Sequence, residues 1–245
     1  MTPGERIAVV TGGASGIGRA TCARLRADGF TLAVLDVNCD GAREVAGPGL
    51  GIKADITDAT DVERAFGEIT ERFGRVDVLV NNAGISGSPE ATICHETPVE
   101  EWDRVFAVNI RGPFLCARAA LPVMLAQGAG HVITVASVAG LVAFPGRSAY
   151  TASKGAALML ARSIAADYAH AGIRSNAVCP GMVETPMTQW RLDQPELRRA
   201  VESRIPLGQV AQPDEIADAI AVLASGRLAY MTGHALIIDG GWTTL

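Results

Sequence analysis

The sequence predicts an α/β fold, a parallel sheet with helices on both faces, and three observations carry that expectation. Apolar runs of strand length alternate with helical periodicity from one end of the chain to the other. The strand candidates are apolar on both faces, as strands buried between two helical layers must be. No repeat and no linker divides the chain, and 245 residues are enough for one large α/β core.

The first strand candidate, 6–10, leads into Thr11-Gly12-Gly13-Ala14-Ser15-Gly16-Ile17-Gly18 and a helix over 16–28. Glycine admits a tight turn and lets backbone approach a pyrophosphate. A helix amino terminus offers unpaired N–H groups and a favourable dipole to the same anion. The spacing, Gly-x-x-x-Gly-x-Gly, departs from the Gly-x-Gly-x-x-Gly fingerprint. Between a first strand and a first helix it still points to a nucleotide, with a compact loop as the plain alternative. Gly12, Ser15, Gly16, Ile17 and Gly18 are the candidate contacts.

The second strand candidate, 31–36, ends at Asp36, near the ~20-residue distance of an acid that binds an adenosine ribose. Its carboxylate can accept from ribose hydroxyls. It would repel a 2′-phosphate by ~4 kcal/mol per unit charge at ~4 Å and an effective dielectric of ~20. The next residues, Val37 and Asn38, supply no cation, so NAD(H) is expected over NADP(H). Gly47-Pro48-Gly49-Leu50-Gly51 reads as a loop before a third strand over 51–54. Asp55, with Ile56 beside it, meets the adenine edge or else caps the helix predicted over 58–73.

The fourth strand candidate, 76–81, runs into Asn81-Asn82-Ala83-Gly84, where Asn82, Ala83 and Gly84 allow close approach to a cofactor and the amides can tie strands together. Asn109 sits in the amphipathic stretch 99–127, where buried amide bonding is its bland role. A strand over 131–137 ends at Ser137, and a helix over 149–171 carries Tyr150 and Lys154 on one face, ~6 Å apart in rise. A strand over 173–178 precedes Cys179-Pro180-Gly181-Met182-Val183-Glu184-Thr185. The segment 182–206 follows a strand's carboxyl end, where α/β proteins bind ligands, and is read as a partly helical flap. A helix over 213–224 and a strand over 235–239 complete the pattern.

Tyr150 and Lys154 define the chemistry. Hydride transfer to a carbonyl develops alkoxide charge and needs an acid; alcohol oxidation needs the same group as base. Free tyrosine has a pKa of ~10, so only ~0.1% is ionised near neutrality. A cation at ~4 Å favours the phenolate by ~4 kcal/mol, about three pK units. Tyr150 is therefore the expected general acid/base, Lys154 the cation that lowers its pKa, and Ser137 the hydroxyl that orients the substrate oxygen. Val138, Leu141, Phe144, Met187 and Trp190 outline an apolar substrate wall, and Arg191 reads first as a solvated surface cation.

These motifs, in this order and spacing, resemble the short-chain dehydrogenase/reductase family over nearly the whole chain. The matching residues are Thr11 to Gly18, Asn81 to Gly84, Asn109, Ser137, Tyr150 with Lys154, and Pro180-Gly181 followed by Thr185. The resemblance implies a Rossmann-like, doubly wound single domain spanning 1–245, NAD(P)-dependent carbonyl–alcohol interconversion and, often, a homotetramer. It also implies that Lys154 and Tyr150 meet the nicotinamide ribose, and that the Val183 backbone and Thr185 hydroxyl hold the carboxamide beside Pro180 and Gly181. Asn109 is implied to serve a water-mediated proton relay near Lys154. A helix cap is the competing role for Thr185.

Composition narrows the alternatives. A formal charge of −5 without basic runs argues against nucleic acid. No apolar run reaches the ~18 residues of a membrane span. The start, Met1-Thr2-Pro3-Gly4-Glu5-Arg6, shows no leader pattern, which favours the cytoplasm. Five scattered cysteines and four histidines without ligand spacing predict neither metal nor disulfide. The expected substrate is a small secondary alcohol or ketone. Rival readings are a turnover-free nucleotide-binding scaffold and a carrier-linked 3-oxoacyl reductase, though no basic cluster serves a carrier.

Overall fold

The computed structural model describes residues 6–244; residues 1–5, on which the targeting expectation partly rests, and residue 245 lie outside the described residues. Seven strands form one sheet: β1 (Arg6–Thr11), β2 (Phe30–Asp36), β3 (Leu50–Lys53), β4 (Val78–Asn81), β5 (Gly130–Val135), β6 (Ile173–Pro180) and β7 (Ala235–Ile238). Their order is β3-β2-β1-β4-β5-β6-β7, with every pairing parallel. The winding reverses between β1 and β4, and such a switch point opens a crevice beyond the strands' carboxyl ends.

Both faces of the sheet are covered, which explains the doubly apolar strands. Ile7 and Val9 of β1 enter one core with Phe66 and Ile69 of α3 (Ala59–Phe73) and Leu121 and Met124 of α5 (Gly112–Gln127). Ala8 and Val10 enter the other, with Leu25 of α1 (Gly16–Ala27) and Ile216, Ile220 and Leu223 of α9 (Pro213–Ala224). Successive side chains of a strand alternate faces, so one short strand serves two cores.

Three elements differ from expectation. The helix α2 (Cys39–Ala46) was not anticipated. At eight residues, with Gly41 inside, it is too short to hold in isolation. It is held by burial of Ala42, Val45 and Ala46 and by the Asn38 side chain accepting from the Gly41 N–H. The stretch 99–127 is α4 (Val99–Phe106), a wider π turn (Ala107–Arg111) and α5 rather than one regular helix. The strand β5 stops at Val135, so Ser137 lies just beyond it, capping a 3₁₀ turn at Val138–Gly140.

One buried histidine bears on stability. His131 of β5 meets the Leu223 carbonyl through Nδ1 at 3.1 Å and the Asn176 side chain through Nε2 at 2.9 Å. Burial first, then the charge of Arg174, pushes its pKa down to about 3. The native ring stays neutral, while the unfolded chain takes up a proton near pH 6.5. Stability is therefore full above ~6.5 and drains away as pH falls towards 3, by roughly 3 kcal/mol by pH 4. Urea unfolding against pH should show this slope in the parent protein and not in His131→Asn; an equal slope in both would refute the assignment.

Candidate active site

The crevice at the switch point opens as a cavity of about 570 Å³ running from the first glycine turn to the flap segment. Gly12, Ser15, Gly16 and Ile17 form one end. Gly12 has φ +63°, and a Cβ there would lie 2.8 Å from Ala83 Cα, so no other residue fits. A Cβ on Gly18 would lie 2.2 Å from the Gly12 carbonyl oxygen. Gly18 does not line the cavity; it lets α1 pack against the turn. Helix α1 has no acidic residue in its first turn and Ser15 makes no side-chain cap, leaving its dipole uncompensated where an anion would sit.

Asp36 lines the same end, its carboxylate accepting from the Ala14 and Asn38 N–H groups at 2.9 Å each. Val37, Asp55 and Ile56 line the wall beside it. Asp55 does not cap α3: Asp58 does, accepting from the Thr60 and Asp61 N–H groups, while Asp55 binds Thr57. Across the crevice, Asn82 Nδ2 donates to the Thr11 and Gly12 carbonyls at 2.9 and 3.0 Å. The Thr11 hydroxyl accepts from the Asn82 and Ala83 N–H groups, both at 3.1 Å. β1 and β4 are thus stitched together beneath the site, and Asn82, Ala83 and Gly84 form its floor.

Ser137, Tyr150 and Lys154 line the other end of this cavity. Lys154 and Tyr150 start the helix α6 (Ser148–Tyr168), and Lys154 Nζ lies 5.7 Å from the Tyr150 ring centroid. That nitrogen donates to the Val135 carbonyl at 2.9 Å, and burial pushes its pKa down to about 8. The expected effect of Lys154 on the phenol needs correction. Burial raises the Tyr150 pKa, and hydrogen bonding to Ser137 is what opposes the rise. The Lys154 ammonium is engaged by the Val135 carbonyl, and burial outweighs what opposes it, so the phenol is not acidified by the protein alone.

Asn109 stands behind the cavity rather than on it. Within the π turn, its Oδ1 accepts from the Ile85 N–H and its Nδ2 donates to the Ile85 carbonyl and the Ser153 hydroxyl, each at 2.9 Å. A Cβ on Gly84 would sit 3.2 Å from that Oδ1 and 3.4 Å from Lys154 Nζ, so a side chain there would press on the Asn109 amide. Pro180, Gly181, Val183 and Thr185 line the cavity's far wall with Met187. The Thr185 hydroxyl lies 3.2 Å from that of Thr188, which itself donates to the Val183 carbonyl.

Of the expected substrate wall only Met187 lines the cavity: Val138 is buried, Phe144 packs into a separate apolar cluster, and Leu141 and Trp190 are exposed outside the lining. Sequence reasoning missed Arg104, Ile85 and Val108 among the lining residues. Arg104 is paired with Glu101 at 2.7 and 3.0 Å, and Glu101 also accepts from the Ser88 N–H at 2.6 Å. These bonds hold the Glu101 carboxyl down to about 2 and fix the loop after Gly84. An arginine on an amphipathic helix carries no signal that distinguishes this from solvation.

A glycine cradle at a helix amino terminus, an acid at the neighbouring strand end and a Tyr–Lys pair across the cavity fit a nicotinamide dinucleotide. The family model described as enoyl-(acyl carrier protein) reductase matches residues 12–243. The chain is 52% identical to the 2-(R)-hydroxypropyl-CoM dehydrogenase of Xanthobacter autotrophicus (strain ATCC BAA-1158 / Py2), over 98% of this chain and 100% of the relative. The chain is a short-chain dehydrogenase/reductase. This dehydrogenase/reductase is 40% identical to the cis-4-hydroxycyclohexanecarboxylate dehydrogenase of Sinomonas cyclohexanicum, over 98% of both chains. A solved structure, ElxO with NADP bound, superposes with a TM-score of 0.90 at 28% identity, covering 98% of this chain and 100% of that one. As a short-chain dehydrogenase/reductase the protein is an oxidoreductase acting on a CH–OH group with a nicotinamide cofactor. Among the described residues no helix is long and apolar enough to cross a membrane, and no cluster could hold a metal.

Proposed function

We propose that this enzyme oxidises a small secondary alcohol to its ketone with NAD⁺, using Ser137, Tyr150 and Lys154. The observation that carries the reading is that these three side chains line the same cavity as the glycine turn and Asp36. Oxidised nicotinamide, when bound, supplies the hydride acceptor. Tyr150 takes the alcohol proton as the C–H bond breaks, and Ser137 donates a hydrogen bond that aims the substrate oxygen at the phenol. Lys154, with a pKa of about 8, is mostly an ammonium at neutral pH and holds the nicotinamide ribose. Asn109 keeps Ile85 and the Lys154 surroundings in place as a positioning residue. Val183 and Thr185 hold the carboxamide from the wall beside Pro180 and Gly181, and the 182–206 segment acts as the flap.

The substrate we favour ends in an anion. The relatives at 52% and 40% identity are named for a hydroxypropyl group on CoM, a thiol bearing a sulfonate, and for a hydroxycyclohexane carboxylate. Here Arg147, three residues before Tyr150, lies with its guanidinium 6.0 Å over the Trp190 ring, and Arg191 follows in α7 (Gln189–Leu192). A charge-assisted hydrogen bond of ~1.5–3 kcal/mol is worth roughly 10- to 100-fold. Reduction of NAD⁺ should therefore be about that much more efficient with 2-hydroxypropyl thioethers ending in sulfonate or carboxylate than with neutral amides. Arg147→Ala should erase most of the difference. Equal efficiency on charged and neutral alcohols would refute the anionic substrate, and no turnover on either would refute the proposed oxidation of small secondary alcohols of this class.

Exposed Phe114 and Leu125 on α5 and Met159 on α6 support a homotetramer, and we place the enzyme in the cytoplasm. Light scattering should give about four times 25.5 kDa; a monomeric mass rejects the assembly.

A further inference from the structure

We propose that Trp242, at the carboxyl end of the chain, is a positioning residue that sets the width of the substrate end of the site. This deepens the alcohol-oxidation reading and rests on it. Trp242 opens a 3₁₀ turn (Trp242–Thr244) just beyond β7 and is almost fully buried. Its ring lies 5.3 Å from that of Phe144 at 59°, and the Arg204 guanidinium covers it at 5.2 Å. Leu192, Val201, Ile205, Val210 and Met182 complete the cluster.

Those partners come from two different segments, each joined to residues that line the cavity. Phe144 lies in the loop joining Ser137 to Tyr150. Met182, Leu192 and Val201 belong to the segment that brings Met187 to the cavity lining, with Val201 in α8 (Pro195–Glu202). The flap segment does not hold itself: α7 is a single four-residue turn, far below a self-sustaining helix. The indole between the two segments is the spacer.

The turn that carries the indole is fixed from below. The Asp239 carboxylate accepts from the Gly241 N–H at 2.9 Å and from the Thr243 N–H and hydroxyl at 2.8 Å. The Leu207 N–H donates to the Gly240 carbonyl at 3.1 Å. Gly240 and Gly241, at φ +64° and +89°, leave no space for side chains: a Cβ would meet Ile205 at 2.6 Å and Pro206 at 3.0 Å. The turn is therefore pressed directly into the flap segment. Behind it, the Gly181 N–H donates to the Ile238 carbonyl at 2.9 Å, so the same strand end backs the cofactor wall without the indole reaching it.

Trp242→Leu leaves Asp239, the glycines and the cofactor end intact while removing the spacer. The alcohol KM should rise at least about 10-fold, with kcat and the NAD⁺ dissociation constant within about twofold of the parent. Phe144→Leu should produce the same split, and the double variant should be little worse than either, because both changes empty one contact. Independently of turnover, amide exchange at 189–205 should accelerate at least about 10-fold in Trp242→Leu, while Val9, Val10 and Ile133 stay protected. An alcohol KM within twofold of the parent, a cofactor dissociation constant that rises with it, or unchanged exchange at 189–205 would each overturn the proposal. A parent enzyme without alcohol turnover would sink the proposed function instead, and the exchange measurement would still decide the role of Trp242. Should Trp242→Leu fail to fold, the KM and the exchange of Phe144→Leu decide it by the same thresholds.

Discussion

Tyr150→Phe should lose turnover by roughly 10²- to 10⁴-fold in kcat while binding NAD⁺ within about twofold of the parent. The change removes one oxygen from a half-buried ring and leaves the helix, Lys154 and the glycine cradle as they are. Only the proton acceptor and the Ser137 partner are lost. The parent's pH profile provides an independent check. Burial raises the phenol's pKa, so the base form needed for alcohol oxidation is scarce at neutral pH and grows as pH rises. Oxidation efficiency should accordingly climb on the alkaline side in the parent and be flat in Tyr150→Phe. Unchanged turnover in the variant, or the same pH dependence in both, would remove Tyr150 from the acid/base role.

Asp36→Asn should raise catalytic efficiency with NADP⁺ by roughly 10²- to 10³-fold and lower that with NAD⁺. A carboxylate ~4 Å from a 2′-phosphate costs ~4 kcal/mol per unit charge at an effective dielectric of ~20, which corresponds to about 10³-fold. The amide is the right replacement because Asp36 also accepts from the Ala14 and Asn38 N–H groups, and a side-chain oxygen must remain to hold the glycine turn. Adding Val37→Arg, at a position 65% exposed, should increase the gain by supplying a cation beside the phosphate. A parent enzyme that used NADP⁺ as well as NAD⁺ would overturn the argument from this carboxylate.

The parts of the molecule legible in sequence are those whose physics is local. Ile7 to Val10 announce a doubly buried strand because every residue is apolar, and Gly12 marks its turn because only glycine takes that backbone. Asp36 and Ser137 could be read because polar residues at the ends of apolar runs are conspicuous, and Lys154 because it follows Tyr150 by one helical turn. The helix α2 was invisible because it is held by its neighbours rather than by its own propensity. Arg104 looked like any solvated arginine until Glu101 and the Ser88 backbone were seen around it. Phe144 reads in sequence as substrate wall but packs on Trp242, 98 residues on in the chain, and no local pattern encodes that contact. The direction of the Tyr150 shift depends on burial set against the Ser137 hydrogen bond, and spacing along a helix specifies neither.

The wide turn at Ala107–Arg111 behaves as a single residue inserted into an otherwise regular helix. Such an insertion aims one amide inward without disturbing the phase of α4 before it or α5 after it. Shortening the segment by one position would straighten the rod and leave both flanking faces seated on their cores, yet swing the Asn109 amide off Ile85. Thermal stability and catalytic competence would then part company at an amide that stands behind the cavity rather than on it.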